Sequence, residues 1–95
     1  MKESELERYF VWAVMRAGGT TYKFRSPTQN GVADRIACFP DGSTWFVELK
    51  VRTGRVEPLQ ELFAADMKRL RQRYALLWTK EEVNAFVAAV SRDGG

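Results

Sequence analysis

A carboxylate and an amine stand two positions apart inside the apolar stretch WFVELKV, residues 45 to 51. Side chains alternate between the two faces of a β-strand, so Glu48 and Lys50 share one face and the odd-numbered apolar residues occupy the other. The apolar set is typical of a core-facing strand. Taken alone, a Glu-x-Lys pair on the open face of a hairpin is typical of a solvated surface pair.

A second carboxylate, Asp34, opens the preceding strand of the same predicted hairpin, whose turn is Pro40 to Gly42. Across this hairpin Asp34 can approach Glu48, and the glycine of NGVA lets the backbone come close to a ligand. Two converging carboxylates repel unless a proton or cation lies between them, and oxygen ligands without His or Cys favour Mg²⁺ or Mn²⁺. Lys50 could deprotonate a water or neutralise charge on a phosphate, so the three residues predict phosphodiester hydrolysis.

The composition limits the alternatives. Ninety-five residues with 45% hydrophobic content predict a single domain, residues 1–95. The chain has no histidine, which excludes a His-based triad, a His general base and a His-rich zinc site. A net charge of +3 is compatible with an anionic partner. The single cysteine and the lack of a signal peptide favour a reducing cytoplasm. That cysteine, Cys38, is expected to pack in the core. The longest apolar run, FVWAVM, is too short to span a membrane.

Apolar spacing and turn signals predict the order αβββαβα. A first helix is expected from about Ser4 to Ala17, and a second begins at Pro58 and ends near Arg73. Strands are expected at 20–24, 34–39, 43–51 and 74–78, and a last helix follows the capping box of Thr79 and Glu82. This order predicts an α/β fold in which helices flank a mixed sheet.

The first helix carries more apolar surface than one core contact requires. Val11, Trp12 and Met15 lie off its main apolar stripe. Two interpretations remain open: the helix is covered on two sides within the monomer, or the extra surface forms a subunit interface.

The motifs together resemble a known family. GVAD, then VELK after a hairpin, with a Glu-bearing helix before and PLQ after, is similar to the PD-(D/E)xK nuclease superfamily and, more narrowly, to its virus-type replication-repair nuclease (VRR-NUC) domains. The similarity runs from KESELERYF to WTKEEVNAFV, nearly the whole chain. It implies a restriction-endonuclease-like core with the predicted element order.

The resemblance also implies roles for individual residues. Asp34 and Glu48 match the motif carboxylates that bind Mg²⁺ or Mn²⁺, with the carbonyl of Leu49 as a third ligand. Lys50 matches the catalytic lysine, and Gln60 matches a glutamine that the following helix places near the site. The family usually has proline where this chain has Ala33, which removes rigidity but no chemical group.

Other site residues are expected at the periphery. Among the acidic residues of the first helix, Glu3 is favoured as a further metal ligand, with Glu7 second and Glu5 also possible. Lys23 is similar to a basic strand residue of the family that holds a phosphate. Four arginines flank the predicted site and are expected to contact phosphates: Arg25, Arg35, Arg52 and Arg55. The aromatic side chains of Tyr22, Phe24 and Trp45 are assigned to the core, with base stacking as the alternative.

The family resemblance implies a metal-dependent endonuclease acting on DNA. Standalone domains of this kind resemble archaeal-type Holliday junction resolvases, so a homodimer on branched DNA is expected, with Val11, Trp12 and Met15 at its interface. The family name indicates a phage origin and hence a bacterial host cytoplasm. Three alternatives remain: a nicking or restriction-like nuclease on duplex DNA, a non-catalytic module that binds DNA structures or a protein, and a structural protein with surface carboxylates.

Overall fold

The computed structural model describes residues 1–25, 31, 33–52 and 54–94, which form three helices and four strands. The elements are α1 (Glu3–Arg16), β1 (Thr20–Lys23), β2 (Arg35–Cys38), β3 (Thr44–Leu49), α2 (Pro58–Arg69), β4 (Tyr74–Leu77) and α3 (Lys80–Gly94). This is the predicted order αβββαβα. None of the helices in these ranges is long and apolar enough to cross a membrane.

One sheet, in the order β1-β2-β3-β4, organises the molecule. The first three strands form an antiparallel meander, and β4 pairs in parallel with β3 after the crossover through α2. The sheet is therefore mixed, as predicted, because two short turns connect antiparallel neighbours while a parallel neighbour requires a helical crossover.

Helices α1 and α3 cover one face of the sheet and form the core with it. Leu6 and Phe10 of α1 are fully buried, as is Val47 of β3. Phe86 of α3 packs edge-on against Trp45, with ring centroids 5.0 Å apart. The predicted core side of β3 is confirmed, since Trp45 and Val47 both belong to this cluster.

Helix α2 covers the opposite face more thinly. None of its residues is buried. Its Phe63 packs edge-on against Phe46 of β3, at 5.8 Å, and against Tyr74 of β4, at 6.0 Å. These contacts hold α2 over the β3–β4 half of the sheet.

Two predictions about the fold differ from the structure. Helix α2 ends at Arg69 rather than near Arg73, because Arg71 takes a left-handed conformation (φ 57°) and the Arg73 carbonyl already accepts a hydrogen bond from the Phe46 N–H. Tyr22 and Phe24 are not core residues: 61% and 36% of their surface is exposed. Both belong to the edge of the sheet, beyond the half that α2 covers.

Candidate active site

The hairpin of β2 and β3 places the two predicted carboxylates side by side. Arg35 pairs with Val47 in the antiparallel register, so one step further along the same ladder Asp34 lies opposite Glu48. The Asp34 carbonyl also accepts a hydrogen bond from the Phe24 N–H at 2.8 Å, which extends the pairing with β1. Opposed residues on one face of an antiparallel pair have Cβ atoms about 5 Å apart. The predicted approach of Asp34 to Glu48 is therefore present.

Glu48 is a buried acid with incomplete hydrogen bonding. Its residue surface is 1% exposed, its Oε1 accepts a hydrogen bond from Gln60 Nε2, and its Oε2 has no hydrogen-bond partner among the described residues. Burial raises the pKa of Glu48 to about 8, followed by a hydrogen bond that Glu48 and Asp34 make when the pair holds a proton and by the negative charge of Asp34, against a smaller opposing effect of Lys50. At neutral pH the carboxylate pair therefore retains a proton that a cation could replace.

Gln60 is fixed by two hydrogen bonds. Its Nε2 donates to Glu48, and its Oε1 accepts from the backbone N–H of Glu57 at 3.0 Å. The second bond caps the start of α2, where Pro58 is the first helical residue. The Gln60 side chain thus caps the N-terminus of α2 and also orients the buried carboxyl group of Glu48. Gln60 therefore lies at the predicted site.

Gly31, three residues before Asp34, lies against the first turn of α2. Gly31 has φ +84°, and a Cβ added there would lie 2.6 Å from the backbone of Leu59. A side chain at this position would therefore clash with the first turn of α2. The close approach at this glycine is therefore made to α2, whereas the sequence predicted an approach to a ligand.

The residues present fit a hard divalent cation. Asp34 and the unpartnered Oε2 of Glu48 supply carboxylate oxygens, and Mg²⁺ commonly binds through one or two carboxylates while water and phosphate oxygens complete its shell. No cluster of three or more Asp, Glu, Cys or His side chains suited to a metal occurs within the described ranges. Glu3, exposed at the start of α1, is not brought to Asp34 and Glu48. The Leu49 carbonyl, next in the chain to Glu48, remains the predicted third ligand.

Known proteins give two comparisons. A solved structure described as a VRR_NUC domain superimposes with a TM-score of 0.84, covering 90% of this chain and 94% of that chain at 20% sequence identity. The chain has the VRR-NUC fold. A protein named "Putative nuclease p44", from Acyrthosiphon pisum secondary endosymbiont phage 1, is 38% identical over 60 residues. That match spans 63% of this chain and 64% of the relative, less than two thirds of its length. No family model matches the chain.

Within this VRR-NUC fold, the opposite sheet face holds residues that were expected at the site. Arg35 points toward α1: its Nη2 lies 2.6 Å from Glu7 Oε1, and its Nη1 donates to Thr21 Oγ1 at 2.9 Å. Lys23 pairs with Arg35 in the β1–β2 register. Together with Arg35 and Glu7 it lines an open pocket of about 390 Å³. Glu7, Arg35 and Lys23 therefore do not converge on Asp34 and Glu48.

The three remaining predicted arginines are exposed. Arg25 follows β1, Arg52 follows β3, and the side chain of Arg55 is 89% exposed with a 3.9 Å approach to Glu57. Lys50 is half-buried just after β3, where its backbone N–H donates to the Leu77 carbonyl at 3.0 Å. The positive charge of Lys50 lowers the pKa of Glu48, against the larger raising effects of burial and Asp34.

Two neighbours of the site were not predicted from the sequence. Glu57 supplies the N–H that holds Gln60, and the spacing of Glu57, Pro58 and Gln60 is a helix-start signal that could have identified it. Tyr74 of β4 lies on the same face of the sheet as Glu48. Burial, then the charges of Glu48 and Asp34, raise the pKa of Tyr74 to about 12, so it stays a neutral phenol. Its apolar surroundings in the sequence gave no signal for this position.

Proposed function

We propose that this chain is a Mg²⁺- or Mn²⁺-dependent endonuclease that hydrolyses DNA phosphodiester bonds. The observation that carries the proposal is the pair of adjacent carboxyl groups, Asp34 and Glu48, with one buried oxygen of Glu48 lacking a partner within the described part of the chain. The VRR-NUC fold and the name of the phage relative support the reaction class.

Each residue has a distinct part in the proposed reaction. A divalent cation held by Asp34, Glu48 and the Leu49 carbonyl would polarise the scissile phosphate and lower the pKa of an attacking water. Gln60 fixes the orientation of the Glu48 carboxylate through its hydrogen bond. The Lys50 ammonium neutralises negative charge that develops on the phosphate.

Cleavage of labelled DNA tests this proposal. Wild type, Asp34→Ala and Lys50→Ala are incubated with duplex, flap and four-way-junction DNA in Mg²⁺, in Mn²⁺ and in EDTA. Cutting that requires the cation and is lost in both variants supports the proposal. Asp66→Asn, which removes an exposed carboxylate from α2, is the control and should cut like wild type.

The exposed side of α1 supports the proposal of a homodimer. Trp12 and Met15 are 50% and 61% exposed, so the described chain leaves them largely uncovered, while Val11 is half-buried. We propose that α1 pairs two copies, placing two sites on a four-way junction. Sedimentation of wild type and Trp12→Glu tests the pairing: a dimer that the charged variant converts to monomer supports it, and a wild-type monomer at micromolar concentration contradicts it.

The alternative functions predict different outcomes in the cleavage, binding and melting experiments. Equal cutting of plain duplex and junction would indicate a nicking or restriction-like nuclease. Junction binding without cation-dependent cutting would indicate a non-catalytic DNA-binding module. Absence of binding, with no rise in melting temperature on adding Mg²⁺, would indicate a structural protein, because an occupied site stabilises the fold.

A further inference from the structure

The carboxylates belong to a row of side chains that crosses the sheet on its α2 face. Phe24 pairs with Asp34, and Asp34 lies opposite Glu48. The next row along the strands runs from Tyr22 through Ile36 to Phe46, as the paired register gives directly. Two aromatic side chains, Tyr22 and Phe24, therefore form the edge of the face that carries the proposed catalytic carboxylates.

This edge is open, unlike the other half of the same face. Phe63 of α2 packs on Phe46 and Tyr74, over β3 and β4. Over β1, Tyr22 and Phe24 retain 61% and 36% exposure. Side chains at alternating positions of one strand lie about 7 Å apart on the same face, so Tyr22 and Phe24 give this edge a small exposed apolar surface next to Asp34.

We propose that Tyr22 and Phe24 are a stacking platform for an unpaired base of the DNA substrate. This inference rests on the proposed nuclease function and specifies its substrate as DNA with unstacked nucleotides beside the cut. Stacking on an aromatic ring accepts any base, because every base has a π-face.

The size of the surface favours a base over a protein. An aromatic side chain buries at most about 150–250 Å², so two partly exposed rings fall well short of the about 800 Å² that each partner contributes to a standard protein interface. The position and charge agree with nucleic acid as well. The surface adjoins Asp34, the exposed Arg25 follows it directly, and the chain carries a net charge of +3.

The sheet spacing defines where the base would lie. Phe24 and Glu48 are separated by two strand intervals, about 10 Å, which equals about three steps of 3.4 Å along one DNA strand. A base on the platform therefore belongs to a nucleotide within about three positions of the scissile phosphate. Fully paired DNA has no free base to offer there, whereas a single-stranded flap has.

A binding cycle between one ring and one base tests the platform. Affinities are measured in EDTA, where the chemistry is stopped, for a duplex with a short unpaired tail and for the same DNA with each tail base in turn replaced by an abasic site. The affinity of wild type should fall about 5- to 150-fold at one tail position, since base stacking on an aromatic ring is worth about 1–3 kcal/mol. In Tyr22→Leu that loss should vanish, and in Tyr22→Phe it should remain.

Other outcomes overturn the platform. Equal weakening of intact and abasic DNA by Tyr22→Leu would mean that the ring does not contact a base, and a change in sedimentation without base dependence would mean that the surface binds protein. Circular dichroism checks the fold of each variant, and quenching of 2-aminopurine in the tail by wild type measures stacking without any substitution: no quenching at any position contradicts the proposal. Base dependence without cation-dependent cutting would remove the nuclease proposal alone, and cutting without base dependence would remove the platform alone.

Discussion

Strand β3 presents two equally buried but chemically opposite faces. Val47 is 0% exposed and Glu48 is 1% exposed, although they are consecutive residues. Val47 packs among apolar side chains of the core beneath α1 and α3. Glu48 faces α2 with one oxygen satisfied by Gln60 and the other without a partner in the described chain. Burial of Val47 therefore stabilises the fold, whereas the equal burial of Glu48 costs free energy because one carboxyl oxygen lacks a hydrogen bond.

The two faces also differ in how firmly they are covered. Helix α1 contributes four buried residues to the core, whereas α2 contributes none. The thin cover above the carboxylates contributes less packing energy than α1 contributes on the core face. Substitutions on the two faces should therefore separate activity from stability.

The largest expected effect is the loss of cleavage in Glu48→Gln. The substitution keeps the size of the side chain but removes the negative charge that would hold a cation, and metal catalysis supplies several kcal/mol of charge stabilisation. At tenfold per 1.36 kcal/mol, cutting should fall at least about 10³-fold. The measurement is the single-turnover rate on labelled flap or junction DNA. Retention of a tenth of the wild-type rate would exclude Glu48 as a metal ligand.

The matched change on the core face, Val47→Ala, should act on stability. Removing two buried methyl groups and leaving a cavity costs about 2–3 kcal/mol, which lowers the melting temperature of a domain this size by about 10–20 °C. Thermal unfolding followed by circular dichroism measures it. Cleavage by the folded variant at low temperature should stay within about threefold of wild type, and a far larger loss there would show that the two faces are not separable.

A smaller effect is expected where α2 meets the buried acid. Gln60→Leu removes both the hydrogen bond to Glu48 and the cap on the Glu57 N–H. Losing a group that orients a metal ligand typically costs about 10- to 100-fold in metal affinity or activity. Calorimetric titration with Mn²⁺ measures the affinity directly. Gln72→Leu, which alters an exposed glutamine bonded to the Leu70 carbonyl, should change nothing; equal losses in both variants would assign the effect to α2 stability.

The hairpin was predictable because its signals are local. The period of two across β3 and the turn at 40–42 together fix which residues oppose one another, so the Asp34–Glu48 pair followed from the sequence. The exposure of the sheet edge could not be predicted from the sequence. Tyr22 is of a residue type common in cores, and its side chain is exposed only because α2 covers the other half of the sheet. The predicted position of Arg35 beside the carboxylates differs from the structure for a related reason. It neighbours Asp34 in the chain, but the alternation of β2 directs its side chain to the opposite face, toward Glu7.

The smallest expected effect is a pH dependence of the metal-free stability. The pKa of Glu48 is raised from 4.5 to about 8, chiefly by burial, so the folded chain holds a proton that the unfolded chain releases. Stability from this group is complete below about pH 4.5 and is lost as the pH rises toward 8. The melting temperature in EDTA should therefore fall between pH 5.5 and 8, by about 4–8 °C for each kcal/mol lost.

The chain itself makes this pH interval informative. It contains no histidine, the only side chain whose unperturbed pKa lies between 5 and 8. Glu48→Gln should remove most of the slope, because an amide does not titrate, and saturating Mg²⁺ should flatten it in wild type, because the cation replaces the proton as the charge that offsets the pair. A slope that persists unchanged in Glu48→Gln would mean that the proton is held elsewhere and that Glu48 is ionised in its buried position without metal.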